Sequence, residues 1–428
     1  MSRCQRECRQ FEPGLPLPEN SRPHKDGCFF VSPMKIIIAP DSFKGSLTAL
    51  EAAEAMAHGV RQVYPAAELI LLPLADGGEG TVEALVTATG GQRVTTSVCG
   101  PACQSFINAV WALLGPQGET AVIEMAAAAG LTLLPSELRN PLYSTTYGVG
   151  QLMLAAAYSG AKQIIVGLGG SATNDGGAGA LQAMGVKFFD VDGELMQKQI
   201  SGQDLIQISR LKMEGLSSVF NHVKVIIASD VTNPLLGVAG ASAVYGPQKG
   251  ATKAIAIELE RAMRNYSAVL SRDSGRDVSN WPGAGAAGGL GAGLMACFDA
   301  TVVSGIDLIL DAAGFEEKLQ GADFVFTGEG RIDAQTLQGK TISGVLKRCQ
   351  KLGNVPVIAF AGSVNQEAAI ALGLSAAFEI SEGLPRDEAM RNAGKLLSEA
   401  AARFMGTLVN DWKTTSSPNS GRSDPYTP

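Results

Sequence analysis

The stretch that decides the fold lies at residues 324–333 and reads FVFTGEGRID. Its first three residues, Phe324-Val325-Phe326, form a short apolar run that predicts a buried strand. The run ends at Thr327 and opens into two glycines, two acids and an arginine. Glycine lets a ligand approach the backbone closely, and ligands of open α/β sheets bind beyond the carboxyl ends of strands. We therefore interpret the segment after this strand as a phosphate and metal platform.

The same arrangement, an apolar strand that opens into a polar loop containing glycine, recurs along the chain. Helices follow most of these loops; Ser46 or Thr48, for example, can cap a helix that runs to about Val63. Strands and helices that alternate across short turns predict a parallel sheet covered on both faces. The recurring loops are PDSFKGS at 40–46, ADGGEGT at 75–81, GGSATNDGG at 169–177 and SDVTNP at 229–234.

The alternation of strands and helices is interrupted in the middle of the chain. After Gly90 the apolar stretches at 94–98 and 107–113 flank a turn at Gly100-Pro101, which predicts a hairpin or meander, and the alternating pattern returns from about 304. We predict an α/β protein of two domains, a Rossmann-like parallel-sheet domain split in sequence and an inserted α/β domain with a mixed sheet. The predicted boundaries are 34–93 and 300–412 for the split domain and 94–299 for the inserted domain.

Both ends of the chain differ from the part between them. Residues 1–33 carry five prolines and three cysteines, and residues 413–428 are rich in Ser, Thr and Pro. We expect a disordered lead and a disordered tail. A second hypothesis is that translation begins at Met34, which the intact mass of the native protein would decide.

Composition limits the function classes. Lys and Arg total 34 against 41 Asp and Glu, a net charge of −7, which argues against a general nucleic-acid binder. No apolar run reaches the roughly 18 residues of a membrane span. The seven cysteines are irregularly spaced without a zinc pattern, and the three histidines are isolated. We expect reduced thiols in a cytoplasmic protein that is a monomer or a homodimer.

Three carboxylates at strand ends are candidate metal ligands: Asp76, Glu329 and Asp333. Hard oxygen ligands suit Mg²⁺, which usually takes one or two carboxylates with phosphate oxygens and water. Helix capping is the alternative role for these acids. Arg331 lies between two of them, and its planar fork can bind a carboxylate or phosphate, or form a structural ion pair.

Other residues are candidates for binding phosphate or moving a proton. Lys44 and Lys249 lie in loops next to glycine and could bind phosphate, although solvated lysines are the commoner case; Lys340 is a weaker candidate.

Asp41, Asp175 and Asp230 could take the proton of an acceptor hydroxyl, and helix capping is the alternative for Asp41 and Asp175. The glycines whose backbone could contact phosphate are Gly77, Gly78, Gly80, Gly285, Gly288, Gly328 and Gly330. Close packing is the alternative for the Gly-Ala run at 283–293. No Walker A spacing occurs, and the Gly-Ala run at 283–293 gives no clean GxGxxG after a predicted strand.

Seven motifs in one order resemble the type I glycerate kinase family, and the match runs from Met34 to about Thr407. One of them departs from the family pattern FxxGPQKGA, because its aromatic residue stands one place along, at Tyr245. The motifs are PDSFKGS at 40–46, ADGGEGT at 75–81, GGSATNDGGAG at 169–179, DVTNPL at 230–235, YGPQKGA at 245–251, PGAGAAGG at 282–289 and TGEGRID at 327–333.

The resemblance implies an enzyme that uses ATP and Mg²⁺ to convert D-glycerate to 2-phosphoglycerate, in glyoxylate or sugar-acid breakdown. It also implies a two-domain fold with the substrate cleft between the domains. The choice of the 2-hydroxyl rests on the resemblance alone. Within this reading we expect Arg331 and one lysine to hold the carboxylate of glycerate.

Two alternatives stay open at this point. An NAD-dependent hydroxy-acid oxidoreductase shares the strand, glycine loop and helix units, but the chain lacks a proper GxGxxG directly after a predicted strand with an acid about 20 residues on. A non-catalytic protein that binds a small acid could use the same fold without turnover. Titration with NADH and a test for kinase turnover would separate these readings.

Overall fold

The computed structural model of the protein describes residues 33–415 except 104, 335 and 337–340. The predicted disordered lead therefore lies outside the described residues, apart from Pro33. The predicted tail also lies outside them, apart from its first three residues, which belong to a helix that ends at Thr415. None of the helices in the described part of the chain is both long enough and apolar enough to cross a membrane.

Strands and helices alternate through most of the chain. The strands are β1 Lys35–Ile38, β2 Glu68–Leu71, β3 Gln92–Cys99, β4 Phe106–Leu114, β5 Thr120–Glu124, β6 Gln163–Gly167, β7 Lys187–Phe189, β8 Arg210–Lys212, β9 Lys224–Ala228, β10 Thr301–Val303, β11 Phe324–Ile332, β12 Val357–Val364 and β13 Ala376–Glu379. The helices are α1 Ala49–Val63, α2 Thr81–Thr89, α3 Ala126–Ala129, α4 Tyr147–Tyr158, α5 Ala178–Ala183, α6 Ala241–Tyr245, α7 Lys253–Ser274, α8 Leu290–Phe298, α9 Gly305–Ala312, α10 Phe315–Leu319, α11 Thr341–Lys351, α12 Gln366–Leu372, α13 Arg386–Arg391 and α14 Ala393–Thr415.

The chain divides into two compact units. The first, called the split unit, takes its described residues from Met1–Pro73, Glu316–Gln338 and Val345–Pro428. The second, called the inserted unit, takes its described residues from Leu74–Phe315 and Gly339–Gly344. The predicted fold class, a split parallel-sheet domain with an inserted mixed-sheet α/β domain, is confirmed.

The split unit contains a five-stranded sheet in the order β13-β12-β11-β1-β2, and every neighbouring pair is parallel. Strand β1 reads KIII and is buried on both faces, as expected of a parallel strand covered by helices. Helix α1 begins after Thr48, whose side chain forms a capping box with Glu51, so the predicted cap is confirmed. Helices α1 and α14 pack against each other over one core cluster.

The inserted unit contains a six-stranded sheet in the order β10-β9-β6-β5-β4-β3. Strands β3 and β4 form the predicted hairpin and run antiparallel, whereas β5, β6, β9 and β10 are parallel. The carboxyl ends of these four strands therefore lie along one edge of the sheet. Helices α4, α5, α7 and α8 contribute to one large core around the sheet.

The unit boundaries differ from the predicted domain crossings near residues 93 and 300. The division lies at 73/74 on one side and at 315/316 on the other. Helix α2 packs on β4, β5 and α9, and so belongs with the inserted unit although it follows β2 in the chain. A pattern of alternating elements records the order of the elements but not the sheet on which a given helix packs.

The expectation that the cysteines are reduced is wrong for one pair. Cys99 and Cys103 form a disulfide, and their Cα atoms lie 5.1 Å apart. A tight turn between β3 and β4 brings the two residues together, because the Cys103 amide donates to the Gly100 carbonyl oxygen at 3.0 Å. Cys297 and Cys349 are free thiols.

Candidate active site

In the split unit, the loop after β1 and the carboxyl-terminal half of β11 lie at the point where the strand order reverses. The predicted end of this strand at Thr327 is wrong, because residues 327–332 continue β11 by pairing with β12. The chain passes from β1 to β2 on one side of β1, and the later strands β11, β12 and β13 add on the other side. Ligands of open α/β sheets bind at such a switch point. The Asp41 amide donates to the Gly328 carbonyl oxygen at 2.8 Å, so the motifs PDSFKGS and TGEGRID lie side by side.

The three charged residues of TGEGRID have different environments. Glu329 is only 8% exposed, and its Oε1 accepts a hydrogen bond of 2.7 Å from the Thr336 hydroxyl. The same hydroxyl oxygen accepts from the Asp333 amide at 3.1 Å, so Thr336 ties the two acids together. The Arg331 side chain is 73% exposed, with Nε 3.3 Å from Asp333 Oδ2. Most of its guanidinium group faces solvent and can bind an anion.

The other candidates on this edge belong to the loop after β1. Lys44 is exposed, and its backbone runs past Gly330 without crowding it. Asp41 Oδ1 accepts from the Ser42 amide at 2.6 Å. Gly328 has a packing role, because a Cβ there would lie 3.1 Å from Met56 and 3.2 Å from Phe43. The edge thus combines exposed cations with acids held in place by hydrogen bonds.

In the inserted unit, Asp76 and Asp230 lie close enough to interact electrostatically. Burial, followed by the charge of Asp76, raises the pKa of Asp230 to about 6, although hydrogen bonds from Ser304 and the Gly305 amide oppose this rise. Asp230 Oδ2 is a buried oxygen without a hydrogen-bond partner. Asp76 Oδ1 accepts from the Gly78 amide at 3.2 Å. A buried acceptor beside a second carboxylate suits a cation or a proton donor.

The ADGGEGT loop lies against the carboxyl edge of this sheet. A Cβ at Gly77 would lie 2.6 Å from the Ala228 carbonyl oxygen, and one at Gly78 would lie 3.0 Å from Asp76 Oδ1. Gly80 precedes α2 with φ 94°, in the left-handed region that favours glycine. These glycines therefore have packing and turn roles, whether or not they also contact phosphate.

Glu124, at the end of β5, is a residue that the sequence interpretation missed. Its Oε1 accepts from the Val82 amide at 2.7 Å, at the start of α2. Burial, with the charges of Glu79 and Glu83, raises its pKa to about 7, against hydrogen bonds from the Val82 and Gly80 amides. Glu124 ends an apolar strand, which is the same signal that singled out the other acids.

Asp175 lies inside a closed network of hydrogen bonds. Its Oδ2 accepts from both the amide and the hydroxyl of Thr146, each at 2.7 Å, and from the Gly179 amide at 3.3 Å. Its Oδ1 accepts from the Gly177 amide at 3.2 Å. The residue is fully buried, and burial raises its pKa despite these bonds. This arrangement favours the capping role over the role of base.

Lys249 lies in the interior of the inserted unit, where only 1% of it is exposed. Its Nζ donates to the Thr173 carbonyl oxygen at 2.7 Å. The nearby side-chain oxygens Thr173 Oγ1 and Asn174 Oδ1 are buried without hydrogen-bond partners. Lys249 thus joins the motif YGPQKGA to GGSATNDGG from within the core, and its ammonium group is not exposed to solvent.

The Gly-Ala run packs closely against neighbouring backbone. The Gly285 amide donates to the Asn233 carbonyl oxygen at 3.0 Å, and a Cβ at Gly285 would collide with the Pro234 carbonyl oxygen. Gly288 has φ 65°, and a Cβ there would collide with the Thr173 carbonyl oxygen. These contacts support the packing alternative for both glycines.

The predicted site residues therefore fall into three groups. The groups are Asp41, Lys44, Gly328, Glu329, Gly330, Arg331 and Asp333 at the carboxyl edge of the split sheet; Asp76, Gly77, Gly78, Gly80 and Asp230 at the carboxyl edge of the inserted sheet; and the buried residues Asp175, Lys249, Gly285 and Gly288. Lys340 lies outside the described residues. Among those that are described, no three His, Cys, Asp or Glu side chains group tightly enough to hold a metal ion unaided.

A comparison with protein-family models matches the glycerate kinase family over residues 36–409. The chain belongs to the glycerate kinase family. It is thereby a kinase, and the oxidoreductase alternative is set aside.

Relatives within the glycerate kinase family cover nearly the same span. The chain is 48% identical over 383 residues to a glycerate kinase of Halalkalibacterium halodurans, a match that spans 88% of this chain and 98% of the relative. It is 44% identical over 379 residues to glycerate 2-kinase of Escherichia coli, with coverage of 88% and 98%. A crystal structure assigned to glycerate kinase 2 of Salmonella typhimurium LT2 superposes with a TM-score of 0.76 at 43% identity, covering 89% of this chain and 100% of that one.

Proposed function

We propose that this chain is a glycerate kinase that transfers the γ-phosphoryl group of ATP to the 2-hydroxyl of D-glycerate and releases 2-phosphoglycerate and ADP. The observation that carries the proposal is the glycerate kinase family match over residues 36–409. The 2-hydroxyl is chosen because the relative from Escherichia coli is a glycerate 2-kinase. The enzyme would act in the cytoplasm, in glyoxylate or sugar-acid breakdown, as a monomer or homodimer.

The oxygen donors on both edges suit Mg²⁺. The carboxylates proposed as Mg²⁺ ligands are Glu329 and Asp333 at the edge of the split sheet and, taken by itself, Asp76 at the edge of the inserted sheet. Asp76 lies beside Asp230, whose Oδ2 is buried without a partner, so a cation near Asp76 would relieve a charge that is poorly satisfied. Magnesium, when bound at these carboxylates, would neutralise the charge that develops on the phosphate oxygens.

The remaining steps belong to the side chains of the protein. The Asp230 carboxylate would take the proton of the 2-hydroxyl as that oxygen bonds to the γ-phosphorus. The bond from the γ-phosphorus to the bridging oxygen breaks, and ADP leaves with that electron pair. Arg331, with its exposed fork, and Lys44 would bind the carboxylate of glycerate or the phosphate oxygens. The proton on Asp230 then returns to water.

The proposal is tested by mixing the purified full chain with ATP, Mg²⁺ and D-glycerate and following ADP in a coupled assay. We expect ADP only when D-glycerate is present, a turnover that falls at least roughly 100-fold in Asp230→Asn, and no change in Asp192→Asn. Asp192 is the matched control because it is an exposed aspartate in a turn of the same unit. ADP release that is independent of glycerate would contradict the proposal.

A further inference from the structure

We propose that Glu124 is a positioning residue that fixes the ADGGEGT loop by capping helix α2 from the neighbouring strand β5. The inference rests on the proposed function in one respect, namely that Asp76 of this loop takes part in phosphoryl transfer. It concerns a residue that lies outside every motif singled out in the sequence.

Helix α2 begins without a cap of its own. Its N-cap residue is Gly80, which has no side chain to accept from the first amides. The first turn of a helix leaves amide donors that need an acceptor. Glu124 supplies an acceptor, since its Oε1 accepts from the Val82 amide at 2.7 Å. The two bonded segments lie 42 residues apart in the chain.

The start of α2 is in turn linked to Asp76 by short-range hydrogen bonds. The Thr81 hydroxyl donates to the Gly78 carbonyl oxygen at 2.8 Å, and the Gly78 amide donates to Asp76 Oδ1 at 3.2 Å. Movement at the helix start would therefore be passed through Thr81 and Gly78 to the carboxylate of Asp76. Glu124 itself is fixed by strand pairing, because it lies opposite Gly167 in the parallel ladder of β5 and β6.

The charges around Glu124 agree with a role in holding backbone amides. The acids that interact with it are Glu79 and Glu83, which together with burial raise its pKa to about 7. The negative charges of Glu79 and Glu83 repel an ionised Glu124. A hydrogen bond from the amide at the start of α2 offsets this repulsion. Both the neutral and the ionised form of the side chain can accept this hydrogen bond, so a glutamine should replace it.

The test compares Glu124→Ala, which removes the acceptor, with Glu124→Gln, which retains it. Glu83→Gln is the matched control, because Glu83 is an acid in the first turn of the same helix whose ion pair with Arg93 is exposed. The first measurement is amide hydrogen exchange in the peptide that spans residues 76–84. The second is the pair of constants kcat and KM for D-glycerate.

We expect exchange in this peptide to rise roughly tenfold or more in Glu124→Ala, as expected when a helix loses its cap. We expect kcat to fall at least roughly tenfold, because displaced catalytic groups lose rate steeply, while KM for D-glycerate changes less than about twofold. Glu124→Gln and Glu83→Gln should stay within about threefold of the wild type in each measurement.

Three results would overturn the inference: unchanged exchange in Glu124→Ala, raised exchange with unchanged kcat, or a Glu124→Gln variant as impaired as Glu124→Ala. An inactive wild type would instead contradict the proposed function. In that case the exchange measurement still decides whether Glu124 holds the loop.

Discussion

Lys249 shows how the position of one residue changes the interpretation of a motif. The sequence places a lysine between glycines, a pattern that favours phosphate binding. In the structure the ammonium group is buried and donates to the Thr173 carbonyl oxygen. Burial lowers its pKa from 10.5 to about 7, with the charge of Asp175 opposing the shift. The lysine therefore affects the stability of the inserted unit directly.

The buried state of Lys249 predicts a particular pH dependence. Between about 7 and 10.5 the unfolded chain binds more protons at this lysine than the folded chain, so its contribution to stability rises with pH in that window. Relative to Lys249→Met, the wild type should gain roughly 1–3 kcal/mol in free energy of unfolding from pH 7 to pH 9.5. Urea denaturation at both pH values measures this.

The control for that experiment is Lys253→Met, which changes an exposed lysine in the same unit. Its free energy of unfolding should follow that of the wild type at both pH values. Burial raises the pKa of Cys297 and Tyr266, so their contributions to the free energy of unfolding fall as pH rises. These contributions are the same in the wild type and in each variant, and they cancel when the free energies of unfolding are subtracted. Parallel curves for the wild type and Lys249→Met would contradict the interpretation.

Asp175 and Asp230 are both acids at strand ends, yet the structure predicts opposite effects for them. Asp175→Asn disturbs a carboxylate that accepts four hydrogen bonds and should lower the free energy of unfolding by roughly 2–4 kcal/mol. Asp230→Asn should leave it unchanged or raise it at pH 8, because the ionised Asp230 has a buried oxygen without a partner. Denaturation curves paired with turnover measure both; an Asp175→Asn variant of full stability without activity would contradict the assignment.

The pH dependence of turnover follows from the same residue. Burial raises the pKa of Asp230 from 3.8 to about 6, and a base must be ionised to accept a proton. We expect kcat/KM for D-glycerate to fall as the pH is lowered, with a midpoint at or below about 6, because Mg²⁺ beside Asp76 would lower the pKa of Asp230. Steady-state rates between pH 4 and 8 measure this, and a midpoint above about 6 would argue against Asp230 as the base.

At the scale of elements, strands and local caps could be predicted well, because their signals are local. Strand β11 begins with a continuous apolar run, and the cap of α1 lies three residues from its partner Glu51. The role of Glu124 could not be predicted, and for Asp175 the sequence could not choose between capping and a proton-accepting role, since their hydrogen-bond partners lie 42 and 29 residues away in the chain. A strand-end acid indicates where a side chain lies but not which amides it meets.

The Gly-Ala run gives a test of packing that needs no ligand. Gly285 has an ordinary φ of −79°, so alanine there costs energy through collision with the Pro234 carbonyl oxygen rather than through backbone strain. We expect Gly285→Ala to lower the free energy of unfolding by roughly 1–3 kcal/mol. Urea denaturation without nucleotide measures this.

The matched control is Gly406→Ala. Gly406 lies inside α14, and no atom outside its own helix and chain neighbours lies within 4 Å of the position its Cβ would take. Alanine should therefore stabilise by roughly 0.5–1 kcal/mol. Equal and small effects of the two substitutions would show that the run is not closely packed and would restore the nucleotide-contact reading.

At the scale of the whole molecule, the sequence predicts the arrangement of the two sheets better than it predicts the boundaries between the two units. The alternation of strands and helices around a central hairpin predicted a split parallel-sheet unit and an inserted mixed-sheet unit. It could not reveal that α2, which follows a strand of the split sheet, packs on the inserted sheet. Helix packing depends on contacts between distant segments, whereas alternation depends only on neighbours in the chain.

The central proposal is that this chain transfers the γ-phosphoryl group of ATP to the 2-hydroxyl of D-glycerate. The most direct measurement is phosphorus NMR of the product formed by the full chain from ATP, Mg²⁺ and D-glycerate. We predict that a single new phosphomonoester signal grows with ADP and coincides with added authentic 2-phosphoglycerate. A signal that coincides with 3-phosphoglycerate would contradict the proposed 2-hydroxyl, and the absence of any phosphoglycerate would contradict the account as a whole.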